Sequence, residues 1–292
     1  MPTANNNGVE LEYDTFGDPA DPAVLLVMGF TAQMTAWDQA FCQLLVDRGH
    51  FVIRFDNRDC GLSTLTEGEA PDLFALLAQA QSGEGITSEV PYTLSDMALD
   101  ALAVLDEVGV DRANVVGASM GGMIAQMMAI EHPERVASLT SIMSTTGNPE
   151  VGQGSPEAMT ALMTPPPTDR EGAIERGVSV GRIISGPLFD EDKARVRMTE
   201  AYDRSFTPGG APFQMAAIAK TGDRTEALAS VGTPTLVIHG AVDALIGVSG
   251  GEATAKAVPG AELLVIDDMG HDLPEPRWGD ITGAIADLAA RA

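Results

Sequence analysis

The amino-acid sequence predicts an α/β protein in which helices cover both faces of a mostly parallel central sheet. Short apolar runs typical of buried strands alternate along the chain with helical patterns, which predicts parallel strands joined by helical crossovers. Polar residues that can carry chemistry follow several of these runs, at the positions where open α/β sheets bind ligands. A long helical stretch interrupts the alternation after residue 146 and predicts an insertion.

Seven strands are predicted. Alternating residues over 9–16 predict an edge strand, which turns at the Gly-Asp-Pro sequence of 17–19. Apolar runs predict the remaining strands at 23–28, 51–55, 114–116, 137–143, 235–239 and 262–266. Among the helices between them, one is expected from about Ser95 to Val108, with Ser95 and Asp96 at its start and Gly109 after its end.

Two stretches are longer than ordinary connections. Residues 64–92 contain a helical piece at 71–81 and a flexible Ser-Gly-Glu-Gly stretch at 82–85. Residues 147–230 contain three consecutive prolines, and helical runs in this stretch are predicted around 169–184, 190–206 and 211–220. The sequence therefore predicts a core of residues 1–146 and 231–292 that is interrupted by a helical segment at 147–230.

The most informative motif is Gly-Ala-Ser-Met-Gly at 117–121, which reads G-x-S-x-G. A short apolar strand precedes it, and an apolar helix follows it up to His132 and Pro133, where proline ends the helix. In such a nucleophile elbow the chain turns from strand to helix within two residues, and the serine hydroxyl projects above the sheet edge. Ser119 is therefore the predicted nucleophile, with glycines at 117 and 121 because side chains there would collide with neighbouring elements.

A serine nucleophile needs a base, usually histidine, and the chain has four histidines. His50 is interpreted as a surface or packing residue, and His132 lies a full helix length away from Ser119. His239 lies at or near the end of a buried strand and stays an alternative. His271 follows the last apolar strand on a loop, which can bring its ring over the sheet edge, and it is the predicted base.

The carboxylate that orients this base is predicted at Asp243. It follows a predicted strand, and it lies between the serine and the histidine in chain order, as this architecture requires. Asp267, Asp268 and Asp272 remain alternatives because they neighbour the histidine, although each also suits a solvated loop position.

Two backbone N–H groups are predicted to stabilise an oxyanion. One belongs to Met120, directly after the nucleophile and at the positive end of a helix. The other belongs to Phe30, in the Gly-Phe-Thr sequence that follows the strand at 23–28. Met28 stands where many enzymes with a nucleophile elbow carry histidine. Because the donors are backbone groups, we expect this methionine to change the pocket lining rather than the chemistry.

These features together resemble the α/β-hydrolase superfamily. The resemblance rests on the elbow at 117–122, on Asp243 after a strand and on the Met-Gly-His sequence at 269–271. Residues 51–63 are also similar to the D-x-R-G-x-G-x-S turn of the superfamily, with Asp59 in place of the usual glycine. Within the superfamily the chain looks most like aclacinomycin methylesterase and related bacterial esterases, over nearly its whole length.

The resemblance implies the α/β-hydrolase fold, with a helical cap at 147–230 inserted after the sixth strand. In this family such a cap covers the substrate pocket. The residues predicted to line the pocket are Met28, Gly29, Met34, Met159, Met163, Phe189 and Phe213. Further candidates in the cap are Met198, Phe206 and Met215. For most residues of the cap, packing of the cap against itself is the alternative interpretation.

The expected partner is the small-molecule ester that the candidate residues imply, and composition argues against other classes of partner. The 292 residues include 42 acidic and 17 basic side chains, and the formal net charge of −25 argues against nucleic acids and anionic membranes. Cys42 and Cys60 form no C-x-x-C pair, so no metal site is predicted. Without a signal-peptide pattern or a run of ~18 apolar residues, the protein is expected to be cytoplasmic. A homodimer stays open.

The predicted function is hydrolysis of a small to medium apolar ester through an acyl-enzyme intermediate, without a metal or organic cofactor. A serine at 119 argues against dehalogenase and epoxide hydrolase chemistry, for which similar proteins use an aspartate nucleophile. The same residues suit hydrolysis of a lactone, an amide or a carbon–carbon bond, or acyl transfer to an alcohol or a peroxide. A non-catalytic ligand-binding protein of this fold is the remaining alternative.

Overall fold

The fold is organised by an eight-stranded sheet among the residues that the computed structural model describes, 2–82 and 86–292. The strands in chain order are β1 (Thr3–Asn6), β2 (Val9–Phe16), β3 (Ala23–Val27), β4 (Phe51–Phe55), β5 (Ala113–Ala118), β6 (Val136–Ile142), β7 (Thr235–Gly240) and β8 (Glu262–Ile266). The seven strands expected from the sequence are confirmed, with small shifts of their ends.

Helices fill most of the connections between the strands. They are α1 (Gln39–Val46), α2 (Leu73–Ser82), α3 (Leu94–Glu107), α4 (Met120–Glu131), α5 (Pro156–Met163), α6 (Arg170–Ile184), α7 (Glu191–Arg204), α8 (Ala211–Thr221), α9 (Thr225–Leu228), α10 (Ser249–Ala257) and α11 (Trp278–Ala289). None of these helices combines the length and the apolar composition needed to cross a membrane. Residues 83–85 of the stretch expected to be flexible lie outside the described residues.

The strand order is β1-β2-β4-β3-β5-β6-β7-β8, and β5 lies near the middle of the sheet. The pairs of β1 with β2 and of β2 with β4 are antiparallel, and all other pairs are parallel. The segments after β3, β5, β7 and β8 therefore leave the sheet at the same edge. The predicted catalytic residues and oxyanion donors follow these four strands.

The prediction that residues 9–16 form the edge strand is wrong. Strand β1 pairs with β2 from Thr3↔Glu12 to Asn6↔Val9 and forms the true edge. Its sequence, Thr-Ala-Asn-Asn, is polar because only Ala4 is buried, so it carries no apolar pattern. This extra strand also makes β6 the sixth strand of the chain, as the family resemblance implied.

Two layers of helices bury the two faces of the sheet. Leu25 and Val27 of β3 face a core that includes residues of α3 and α4. Val24 and Leu26 face the opposite core, which includes residues of α1 and α11. Because successive side chains of a strand point to opposite faces, a strand between two helical layers is apolar throughout. This explains why β3 is buried at all five positions.

The start of α3 differs from the sequence prediction. The helix begins at Leu94, and Thr93 rather than Ser95 caps it. Thr93 and Asp96 form a capping box, in which the Asp96 carboxylate accepts hydrogen bonds from the Thr93 N–H and hydroxyl, both at 2.8 Å. Asp96 therefore takes part in the cap, as the third residue of the helix.

The segment between β6 and β7 is predominantly helical, as predicted. Its helices α6, α7 and α8 correspond to the runs expected around 169–184, 190–206 and 211–220. Helix α5, which the sequence analysis did not identify, begins after the cap Ser155 with a proline in its first turn. We call residues 147–230 the inserted segment.

Candidate active site

Ser119 occupies a sharp turn between the last residue of β5 and the first residue of α4. Its backbone has φ 56° and ψ −120°, a region that costs a non-glycine residue on the order of 1–3 kcal/mol. Neighbouring groups hold this conformation: the Ser119 N–H donates to the Ile142 carbonyl at 2.9 Å. The Ser144 hydroxyl donates to the Ser119 carbonyl at 2.8 Å. The turn predicted from the G-x-S-x-G motif is therefore present.

The glycines of the motif are required by close backbone contacts. A side chain at Gly117 would overlap the Gly121 carbonyl, and a side chain at Gly121 would overlap the Val27 carbonyl of β3. Any larger residue at these two positions would separate α4 from the sheet. The motif thus places the serine by steric exclusion as much as by hydrogen bonding.

The structure brings together the three side chains that the sequence analysis selected. His271 Nε2 lies 3.0 Å from Ser119 Oγ, and His271 Nδ1 lies 2.8 Å from Asp243 Oδ2. Asp243 Oδ1 accepts hydrogen bonds from the N–H groups of Leu245 and Ile246, both at 2.9 Å. The result is a continuous hydrogen-bonded array from serine through histidine to a buried carboxylate.

The environment of Asp243 favours its ionised form. Burial alone would raise its pKa, but the charge of His271 and the hydrogen bonds from His239, His271 and the Ile246 N–H outweigh burial and lower the pKa to about 2. Asp243 is therefore a carboxylate throughout the neutral range. An ionised acid at this place can hold a proton on His271 Nδ1 and leave Nε2 free to accept one from Ser119.

The low pKa of Asp243 predicts a specific dependence of stability on pH. Because the folded-state pKa lies below the value of 3.8 for a free side chain, ionised Asp243 contributes stability above about pH 4 and loses it as the pH falls towards 2. We expect the difference in unfolding free energy between the wild type and Asp243→Asn to shrink by about 1 kcal/mol from pH 6 to pH 3. Urea unfolding at both pH values measures it. A difference independent of pH would contradict the stabilised carboxylate.

The loop that carries His271 rests on the inserted segment. The His271 N–H donates to the Ile184 carbonyl at the end of α6 at 2.8 Å. Gly270 and Gly186 are in backbone contact, so that a side chain at either position would overlap the other loop. The Asp272 carboxylate accepts from the Gly270 N–H at 3.2 Å, and burial raises its pKa. His271 is thus anchored from both sides of its loop.

The alternative residues of the sequence analysis occupy other roles. Asp268 pairs with Arg277 at 2.6 Å, and Asp267 is exposed. His239 is fully buried, and its Nε2 lies 2.8 Å from the Ile246 carbonyl and 3.5 Å from Asp243 Oδ2. His239 therefore contacts the carboxylate rather than the serine. The other two histidines lie elsewhere: Nδ1 of His50 faces the Pro22 carbonyl, and His132 ends α4.

The loop after β3 approaches the serine closely. A side chain at Gly29 would lie 3.0 Å from Ser119 Cβ, so glycine permits this approach. The Ala32 N–H donates to the Gly29 carbonyl at 3.3 Å, and Asn57 Nδ2 donates to the Met28 carbonyl at 2.8 Å. Phe30 lies between these anchors. The roles of the Phe30 and Met120 N–H groups as oxyanion donors stay predictions.

The residues expected to line a pocket fall into two groups. Met28, Met34 and Phe213 are buried, and Phe213 packs into the core that includes α3 and α4. Met159 and Met163 of α5 are each 41% exposed, and Phe189 is half-buried against Gly181. Contact of any of these residues with a substrate stays a prediction.

Sequence reasoning missed a buried polar network between the inserted segment and the core. Arg204 of α7 pairs with fully buried Asp56 at 2.7 Å, and it donates to Gln33 Oε1 at 2.6 Å. Gln33 in turn donates to the carbonyls of Ala201 and Ser205. Asp56 belongs to the turn after β4 that is similar to the D-x-R-G-x-G-x-S turn of the superfamily, and this similarity indicates a structural role for it. Nothing in the local sequence marks Arg204 or Gln33.

The two cysteines are buried free thiols in the structure. Burial raises the pKa of Cys42 to about 12 and also raises the pKa of Cys60. Both side chains are therefore thiols rather than thiolate nucleophiles at neutral pH.

Comparison with known proteins gives a consistent result. Residues 22–276 match the family model described as alpha/beta hydrolase fold. Rhodomycin D methylesterase DnrP of Streptomyces peucetius is 33% identical over 94% of this chain and 93% of its own length. Rhodomycin D methylesterase DauP of Streptomyces sp. (strain C5) is 32% identical over the same shares. The crystal structure of the enol-lactonase from Burkholderia xenovorans LB400 superimposes with a TM-score of 0.74 at 23% identity, covering 99% of this chain and 100% of that one.

Proposed function

Because the chain belongs to the α/β-hydrolase fold family, we propose that it is a serine hydrolase that cleaves a carboxylic ester. In this proposal Ser119 is the nucleophile, His271 the general base and Asp243 the orienting acid. The observation that carries it is the continuous array from Ser119 Oγ through His271 to Asp243, at distances of 3.0 and 2.8 Å.

The first half of the reaction acylates the serine. His271 Nε2 accepts the hydroxyl proton as Ser119 Oγ attacks the ester carbonyl carbon. The carbonyl oxygen becomes an oxyanion, which the N–H groups of Phe30 and Met120 stabilise. When the carbon–oxygen bond to the alcohol breaks, imidazolium His271 returns the proton to the departing alkoxide, and Asp243 stabilises that imidazolium in the meantime.

The second half releases the acid by the same steps with water. His271 accepts a proton from a water molecule that attacks the acyl-serine, and the oxyanion forms again in the same site. Collapse of this intermediate breaks the bond to Ser119 Oγ, which recovers its proton from His271. The products are one alcohol and one carboxylic acid, so the proton balance closes on the enzyme.

The proposed substrate is a methyl ester of a larger carboxylic acid. The similarity to two methylesterases over more than nine-tenths of the chain supports this class. The inserted segment is the proposed cap over the substrate. The net charge of −25 disfavours anionic substrates and favours release of the anionic product.

The experiment compares a methyl ester and a phenyl ester of the same aromatic acid. We expect hydrolysis of both, and with ethanol added we expect ethyl ester and free acid in a ratio that is the same for both substrates. The ratio must be the same because both substrates give the same acyl-enzyme once methanol or phenol has left, and ethanol and water then compete for that intermediate. A phosphonate inhibitor should label the peptide that contains Ser119. A ratio that depends on the leaving group, or labelling at another residue, would contradict the proposal.

A further inference from the structure

Gln214 is a fully buried side chain of α8 whose amide bridges the loop after β3, which approaches Ser119 at Gly29, and the loop after β4. Its Oε1 accepts a hydrogen bond from the Thr31 N–H at 2.8 Å, and its Nε2 donates to the Arg58 carbonyl at 2.8 Å. Thr31 directly follows Phe30, whose N–H is a proposed oxyanion donor. A residue of the inserted segment thus holds the loop that supplies this donor.

The loop needs such support because Thr31 has an unfavourable backbone conformation. Its φ is 56°, which is costly for a β-branched residue. The Thr31 N–H at this strained position is the group bound by Gln214. Replacing Gln214 by an apolar residue would leave this N–H without its partner and would let the turn relax.

The geometry of the turn links Thr31 to the Phe30 N–H. In a trans peptide the carbonyl of one residue and the N–H of the next point in opposite directions. The Gly29 carbonyl accepts from the Ala32 N–H at 3.3 Å, so the Phe30 N–H points away from Ala32. The hydrogen bond from the Thr31 N–H to Gln214 holds the same turn. Relaxation of this turn would therefore reorient the Phe30 N–H.

The other end of the Gln214 amide is attached to a rigid part of the core. Arg58 binds Asp100 through two hydrogen bonds of 2.5 and 2.6 Å, and its guanidinium stacks over the Tyr92 ring at 4.8 Å. Because the side chain of Arg58 is held in this way, its carbonyl is a stable reference for Gln214. The amide therefore joins the strained turn at 29–32 to a well-anchored one.

We propose that Gln214 is a positioning residue for the oxyanion hole. It holds the turn at 29–32 so that the Phe30 N–H faces the developing negative charge, and it does not touch the substrate. This inference rests on the proposed function, because it needs Ser119 to form a tetrahedral oxyanion.

The chain offers a matched control in Gln126 of α4. Gln126 is also fully buried, and it also bonds at both ends of its amide, to Ser141 at 3.3 Å and to Arg224 at 3.1 Å. None of these contacts involves the turn at 29–32. Methionine at either position removes a buried amide of the same kind and nearly keeps its volume.

The test combines kinetics with two inhibitors. We expect Gln214→Met to lower kcat by roughly 10- to 100-fold with little change in KM, a fraction of what complete loss of an oxyanion donor costs. A trifluoromethyl ketone adds to serine as an oxyanion, so its affinity should fall by the same factor. The matching methyl ketone, which binds without this addition, should keep its affinity. Gln126→Met should lose thermal stability but keep kcat and both affinities.

Gln214→Glu separates positioning from packing. A buried carboxyl is favoured in its neutral form, which can accept from the Thr31 N–H and donate to the Arg58 carbonyl. We expect kcat and trifluoromethyl ketone affinity to recover in this variant relative to Gln214→Met. If Gln214→Met does not fold, the comparison of Gln214→Glu with the wild type over pH decides, with a further fall of kcat expected as the carboxyl ionises.

Three results would overturn the inference. Wild-type kcat in Gln214→Met, an equal loss of affinity for both ketones, or a pH profile of Gln214→Glu that parallels the wild type would each leave only a packing role. Failure of the proposed function is distinguishable, because then the wild type itself would not hydrolyse esters and would bind the two ketones alike.

Discussion

Replacing Ser119 by alanine is expected to lower kcat/KM for ester hydrolysis by roughly 10⁴- to 10⁶-fold, the range seen when the nucleophile of a serine hydrolase is removed. The loss is large because the substitution removes the only atom that can form the acyl-enzyme in the proposed mechanism. The phosphonate should also no longer label the protein. Initial rates with the aromatic methyl ester and intact mass measure both effects.

The structure predicts that this loss is not caused by unfolding. Alanine keeps the backbone hydrogen bonds from the Ser119 N–H and to its carbonyl. The thermal unfolding temperature should therefore stay close to that of the wild type. Ser138→Ala is the matched control, since Ser138 is buried and bonds Asn114 within the core. Retained activity in Ser119→Ala would refute the assignment of the nucleophile.

Replacing Asp243 by asparagine is expected to lower kcat by roughly 10³- to 10⁴-fold, comparable to the same change in other serine–histidine–aspartate sites. The N–H groups of Leu245 and Ile246 bind Oδ1, so asparagine would keep its oxygen there. Its NH₂ group would then face His271 Nδ1 and donate to it. The ring would carry its proton on Nε2 and could no longer accept one from Ser119.

The adjacent acid Asp272 provides the comparison for this prediction. It lies next to His271 in sequence, but its carboxylate accepts from the Gly270 N–H instead of contacting the imidazole in the observed hydrogen bonds. We expect Asp272→Asn to retain most of the activity. A larger loss in Asp272→Asn than in Asp243→Asn, measured as kcat on one ester, would show that the wrong carboxylate has been assigned.

The parts of the fold that sequence patterns predicted are those in which burial determines residue type. Strand β3 reads as a strand because both of its faces are covered by helices. Strand β1 was missed because it is a polar edge strand that buries only Ala4. Its pairing with β2, rather than an apolar pattern of its own, defines it as a strand. The start of α3 was misplaced because Thr93, Ser95 and Asp96 all suit a cap, and only the local geometry selects Thr93.

The same distinction separates the site residues that the sequence predicted from those that it did not. Ser119 lies in a motif whose glycines have a steric cause, and Asp243 and His271 follow strands that end at one sheet edge, so chain order was sufficient to select them. Gln214 was not selected, because it meets Thr31 across 183 residues and a single glutamine in an amphipathic helix has no local signature. Such long-range polar contacts depend on tertiary packing alone.

The contact between Gly186 and Gly270 has a consequence for the catalytic cycle. The inserted segment cannot lift away as a rigid body without separating these two glycines and breaking the hydrogen bond from the His271 N–H to the Ile184 carbonyl. If substrate entered by such a movement, His271 would lose this contact until the segment closed again. In the proposed mechanism, the proton transfers of both half-reactions would then be confined to the closed arrangement.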